Sequence, residues 1–193
     1  MRTTGERIRL RTAGLGDLDI LVQQRRGMWR EIDKLTKKEL DDADRVYRPW
    51  ARDRIRNGTL VGWVAETASG RVVAGGCVWL QEIQPRPGRE DSMQPYLLSM
   101  YTEPGYRERG LASRIVREAI RWAKRQGYPR VTLHAAEDGR GVYTRLGFTR
   151  TWEMRYRLAG RRAPSRARAK PRAPRRSSAA SPRRGPRGSR ARR

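Results

Sequence analysis

The sequence predicts an α/β fold, a single mixed, mostly antiparallel β-sheet flanked by helices on both faces, followed by a disordered basic tail. Three observations lead there. Strand-like runs and runs with apolar residues at i, i+3 and i+4 follow one another in the order β-α-α-β-β-β-α-β-α-β. Two of the strand-like runs flank Ala68-Ser69-Gly70, a hairpin signal that makes part of the sheet antiparallel. After Leu158, aromatic, branched aliphatic and acidic residues all cease.

The elements follow in order. "ERIRLRTA" (6–13) alternates and reads as a first, edge-type strand. Asp17 is placed to cap a helix through about Trp29, with Leu18, Leu21, Val22 and Met28 on its inner side. A second helix is expected from about Lys37 to Asn57, closed by Gly58 and kinked or split at Pro49. "LVGWVAET" (60–67) and "RVVAGGCVWLQE" (71–82) form the hairpin. "YLLSMYT" (96–102) is apolar on both faces, as a central strand is. Leu111, Ala112, Ile115, Val116, Ala119, Ile120 and Ala123 give one broad apolar face to a helix over about 109–126, with Gly127 beyond its end. "RVTLHA" (130–135) reads as a strand, 139–148 as a short helix closed by Gly147, and "TWEMRYRL" (151–158) as a last strand.

Charge divides the chain in two. The formal net charge is +25 over 193 residues. The segment 159–193 has thirteen Arg, one Lys and no acidic residue, and so carries +14 of it. With five prolines and no aromatic or branched aliphatic side chain, that segment cannot bury enough surface to offset its ordering entropy and is expected to be disordered. Residues 1–158 are expected to form one domain. The lone cysteine, Cys77, excludes an intramolecular disulfide and sits among apolar neighbours as an inert core thiol, which suits a reducing compartment. No apolar run approaches the roughly 20 residues of a membrane span, and the first residues have no secretory h-region. A soluble, cytoplasmic protein, monomeric or homodimeric and without a membrane partner, is the expectation.

The stretch that carries chemistry is "YTEPGYRERGLASRIV" (101–116). A strand stops at Pro104-Gly105, basic residues and Gly110 follow, and a helix begins. Such a turn presents unpaired backbone N–H groups and the positive end of the helix dipole, a setting that suits a phosphate or diphosphate. Gly110 permits close approach, and Arg107 and Arg109 add cationic donors. The same features also describe a plain β-α connection with a solvated basic loop. The G-x-x-x-x-G-K-[ST] loop and the G-x-G-x-x-G fingerprint are both absent, which argues against a P-loop nucleotide and a Rossmann dinucleotide.

"RERGLA" (107–112) resembles the [Q/R]-x-x-G-x-[G/A] signature of the GNAT superfamily of N-acetyltransferases, in the same setting after a strand and before a long helix. "VYTRLGF" (142–148) is similar to the superfamily's second recurring stretch, Tyr-x-x-Leu-Gly-Phe, and the hairpin at 62–80 is similar to the one that precedes the central strand. The resemblance covers roughly residues 6–158. It implies the acyl-CoA N-acyltransferase fold and transfer of an acetyl group from acetyl-CoA to a primary amine, either a small molecule or a protein N-terminus or lysine. That transfer proceeds by direct attack in a ternary complex, with no metal and no covalent enzyme intermediate. The resemblance further implies that backbone groups of Met100, Tyr101 and Thr102 pair with the pantetheine arm. Main-chain N–H groups of Arg107, Glu108, Arg109, Gly110, Leu111, Ala112 and Ser113 would hold the diphosphate. Glu108 departs from the small or basic residue common there, a modest cost where the contacts are mostly backbone.

Tyr143 matches the tyrosine that protonates the departing thiolate in many members, a role its ordinary pKa of about 10 suits. Packing under the helix or a bond to the cofactor sulfur are its alternatives. His134, the only histidine, takes the place of a catalytic glutamate in ribosomal-protein N-terminal acetyltransferases and is the candidate base. A structural role for it, Glu82 as the base, and a water relay without a dedicated base stay open.

Glu31, Glu39, Asp41, Asp42 and Asp44 form the densest acidic patch in the chain. They serve either to attract a cationic acceptor or, more simply, as a solvated helix face with an Asp41–Arg45 pair. Trp29, Tyr47, Trp50 and Trp79 line an acceptor pocket or the core. Two other functional classes remain. One is a nucleic-acid- or ribosome-associated protein acting through weak, salt-sensitive binding by 159–193. The other is an acyl-CoA-binding domain without turnover.

Overall fold

The computed structural model describes residues 6–33, 35–85, 87 and 92–156. The basic segment 159–193 lies outside the described residues. Two units are distinguished, one ending at Arg150 and one beginning at Thr151.

In the first unit, β1 (Ile8–Ala13) leads through a 3-10 turn (Leu15–Asp17) into α1 (Leu18–Ile32), and α2 (Lys37–Arg56) follows. Then come β2 (Leu60–Thr67), β3 (Val72–Glu82) and β4 (Met93–Thr102). A second 3-10 turn (Pro104–Tyr106), α3 (Leu111–Arg125) and the short α4 (Arg140–Arg145) complete it. The sheet has the order β1-β2-β3-β4, antiparallel throughout. The β2–β3 hairpin closes where predicted, with Gly70 at φ +83° and its N–H 3.0 Å from the Thr67 carbonyl.

Each face of the sheet has its own core, because alternation along β2 sends Trp63 and Ala65 one way and Leu60 and Val64 the other. The first face packs Leu111, Ile115, Val116 and Ala119 of α3; the second packs Leu18, Leu21 and Val22 of α1 with Tyr47 and Ala51 of α2. Helices therefore cover both faces. Thr36 caps α2 by accepting from Glu39 N–H, while the Glu39 carboxylate accepts from Thr36 N–H at 2.9 Å. Asp17 stands at the cap of α1, but its carboxylate accepts from Gly14 N–H and pairs with Arg11.

Several elements differ from expectation. Of the two outcomes expected at Pro49, the split does not occur, and α2 is one helix through it. β4 begins three residues earlier than predicted and lies last in the sheet order; it is apolar on both faces because α1 and α3 cover both. The stretch 130–135 forms one parallel bridge, Thr132 with Tyr96, rather than a strand. Val131 and Leu133 still pack on the α3 core, so the alternation there reports side-chain burial without a backbone ladder. In the second unit, Thr151–Tyr156 form no strand, and Trp152, Met154 and Tyr156 are exposed. Alternation alone cannot supply the partner edge that a strand requires. No helix among the described residues is long and apolar enough to cross a membrane.

Two consequences for stability follow. A Cβ on Gly76 would meet Met100 Sδ at 2.1 Å and Ile115 Cγ2 at 3.2 Å. Gly76→Val is expected to lose about 2–3 kcal/mol in urea unfolding through overpacking, and Met100→Ala in the same chain should restore part of it. Burial also pushes the Cys77 thiol up to about 12 and raises the phenol of Tyr47. The folded chain therefore holds protons that the unfolded chain releases above pH ~9. Stability should be flat below that pH and fall as pH rises from about 9 toward 12, seen as a declining Tm. Cys77→Ala should flatten part of the decline.

Candidate active site

The site is built on a defect in β4. Between Gly75 and Cys77 of β3, the opposing residues run from Tyr101 to Leu98, so β4 holds one extra residue there. Ser99 takes up the bulge at φ +54°, unusual for a residue with a side chain. On its outer edge, among the described residues, β4 is paired only near Tyr96: Leu97 N–H donates to Thr132 O at 2.8 Å, and Thr132 N–H to Pro95 O at 3.0 Å. Beyond that point the two segments separate. A cleft of about 500 Å³ opens between them. Met100, Tyr101, Thr102 and Arg107 line one wall, His134 and Tyr143 another, and Met28, Glu31 and Ile32 of α1 a third.

Six of the sequence-predicted residues thus meet in one cleft. Tyr143 is half-buried in α4 and packs edge-to-face on Phe148 at 5.8 Å. Desolvation raises its pKa, so the phenol keeps its proton through neutral pH. His134 Nδ1 is hydrogen-bonded to the Tyr96 hydroxyl, with the rings 5.6 Å apart. Tyr96 is a partner that sequence reasoning did not find. The only signal for it is the parallel bridge between 96 and 132, which is a tertiary fact. Glu82, at the end of β3 opposite Met93, does not line the cleft.

The turn from β4 into α3 supplies the remaining predicted residues. Gly110 caps α3 in the left-handed conformation at φ +73°, and Glu108 is also left-handed at φ +62°. Both conformations turn the chain sharply before the helix. The helical ladder begins with Arg114 N–H donating to Gly110 O at 3.0 Å, so the N–H groups of Leu111, Ala112 and Ser113 precede it. Nothing lies within 4 Å of where a Gly110 Cβ would stand, which leaves room over these donors. The residues present therefore fit a diphosphate. Arg109 lies over the Tyr106 ring at 4.8 Å and donates to Gly105 O at 3.3 Å. The Arg107 guanidinium is turned into the cleft. Its Nη2 is 2.7 Å from both Glu31 carboxylate oxygens, and its Nε donates to Thr102 O at 3.0 Å.

Glu39 is held in the α2 capping box, and the aspartates of the sequence patch are accounted for by ion pairs of α2 with itself and with α1. Asp41 pairs with Lys37 and Arg26, Asp42 with Lys38 and Arg45, and Asp44 with Arg26. Arg45 is thus held by Asp42 at i,i+3 and not by Asp41 at i,i+4. Tyr47 and Trp50 stack at 5.6 Å and Trp50 meets Trp79 edge-on at 5.2 Å, within the α1–α2 core. None of the four aromatics lines the cleft.

Comparisons with known proteins converge on this architecture. Residues 22–148 match the model of the acetyltransferase (GNAT) family. An uncharacterized N-acetyltransferase of Methanocaldococcus jannaschii is 29% identical over 142 residues, 72% of this chain; the chain spans 59% of that relative's length. The crystal structure of a GCN5-related N-acetyltransferase from Ralstonia eutropha is 29% identical, with a TM-score of 0.72 over 80% of this chain and 100% of that one. A predicted acetyltransferase of Clostridium acetobutylicum, solved with acetyl-CoA, shares the fold at 24% identity and a TM-score of 0.71, covering 79% of this chain and 96% of that one. With the family match running from α1 through the bulged strand and the Gly110 turn to Phe148, this chain belongs to the acetyltransferase (GNAT) family.

Proposed function

We propose that the chain is an acetyl-CoA-dependent N-acetyltransferase that passes the acetyl group directly to a primary amine in a ternary complex. One observation carries the reading: beyond Tyr96 the outer edge of β4 has no strand partner among the described residues and leads to the Gly110 turn, and Tyr143 and His134 line the same cleft. The edge offers backbone donors and acceptors to an amide-bearing arm, and the turn offers N–H groups to a diphosphate. The Clostridium acetobutylicum relative, solved with acetyl-CoA, supports the choice of donor.

In this reading acetyl-CoA supplies the activated thioester, and the chain's own groups handle the protons. His134, oriented by Tyr96, takes the proton of the attacking amine, directly or through water. Tyr143, kept protonated by burial, gives its proton to the departing sulfur. The test is incubation of the full chain with acetyl-CoA and a panel of primary amines. Free thiol release and a mass gain of one acetyl group on the amine are followed together. Tight CoA binding with no acetyl transfer to any amine would reduce the chain to an acyl-CoA-binding domain.

A further inference from the structure

The cleft has a charge unlike that of the chain around it. The described residues that line it include three carboxylates, Glu31, Glu137 and Asp138, and a single guanidinium, Arg107. In a chain of net charge +25 this is a local inversion of sign. Glu31 stands on the face of α1 that also carries Met28 and Ile32 into the cleft, across from His134 and Tyr143. Its carboxylate is held by Arg107, and both side chains are partly in solvent, 41% exposed for Glu31 and 45% for Arg107. Ion pairs that open to water are weak and exchange readily.

Arg107 also belongs to the turn that precedes Gly110 and α3. A guanidinium prefers a phosphate that can accept two hydrogen bonds, and a diphosphate brings more negative charge than one carboxylate. Resting on the N-acetyltransferase reading above, we infer that Arg107 is shared between Glu31 and the diphosphate, and that Glu31, once released, receives a cationic group of the acceptor. The acceptor class is an amine carrying at least one further positive charge besides the amine that is acetylated. Glu137 and Asp138 add to the attraction for that charge, and the amine to be acetylated is left to His134. Cofactor loading then prepares the acceptor site, so the two ligands bind with positive coupling.

The experiment measures CoA and spermidine binding to the full chain by calorimetry. Glu31→Gln is expected to tighten CoA about threefold, because Arg107 no longer has to leave a carboxylate. Arg107→Gln should weaken CoA about tenfold, and the double variant should match Arg107→Gln alone. Asp19→Asn, the same charge change at the exposed Arg48 pair, should leave CoA binding unaltered. Spermidine should bind the wild-type chain about fivefold more tightly with saturating CoA than without it, and Glu31→Gln should abolish that difference. The exchange is overturned if Glu31→Gln leaves CoA affinity unchanged, or if Asp19→Asn tightens it equally. Spermidine binding that is absent, or indifferent to CoA, overturns the acceptor class. Failure of the wild-type chain to bind CoA at all would overturn the parent reading, and this one with it.

Discussion

Tyr143→Phe is expected to lower kcat about a hundredfold or more, the scale of a lost general acid, with KM for acetyl-CoA close to that of the wild type. The substitution removes one oxygen and keeps the ring that packs edge-to-face on Phe148, so the fold should be untouched. Burial raises the Tyr143 pKa above its ordinary value, which fixes the direction of the pH dependence. The acid is active when protonated, so this group causes no loss of kcat as pH rises until beyond about 10. Rates measured under saturating substrate from pH 6 to about 10 in both chains would show it. A loss in kcat below about tenfold would remove the phenol from the proton path and leave it a packing group.

Gly110→Glu should weaken CoA binding on the order of a hundredfold, measured by calorimetry alongside Gly110→Ala. The site has room for a side chain, so the new carboxylate would stand over the N–H groups that open α3. Two unit charges of like sign about 4 Å apart cost about 4 kcal/mol at an effective dielectric of 20, enough for that loss. Gly110→Ala separates the causes. It carries the left-handed strain of φ +73°, about 1–2 kcal/mol for a residue with a side chain, but no charge. Alanine should therefore lower Tm with little effect on CoA, whereas glutamate should do both. A negative charge near a helix N-terminus is itself mildly stabilising, so the glutamate chain should melt no lower than the alanine one. Equal CoA affinity in all three chains would show that the turn does not hold the diphosphate.

Much of the fold was legible because its signals are local. The apolar, β-forming run in 60–67, the three-residue connection at 68–70 and the apolar stripe of α3 each lie within a few residues of chain. They were read nearly to the residue. Alternation misled where burial and pairing part company: at 130–135 the apolar side chains reach the core but the backbone makes a single bridge. At 151–156 the same pattern is present, and no strand forms. Proline at 49 was expected to kink or split the second helix; α2 is not split there, and Tyr47 and Ala51 on either side of it pack in the core.

By itself, then, the sequence determined the order of the elements from β1 to α3, the two-faced core, and the turn where a strand gives way to a helix behind a glycine. It did so because periodicity and turn chemistry act over one to four residues. Only the tertiary structure decided where β4 loses its neighbour, that Tyr96 holds His134, and that Glu31 meets the Arg107 guanidinium. Those partners lie 38 and 76 residues apart in the chain. Which of them meet is set by how α1 and the 131–134 segment dock against a bulged strand, and no short-range pattern encodes that docking.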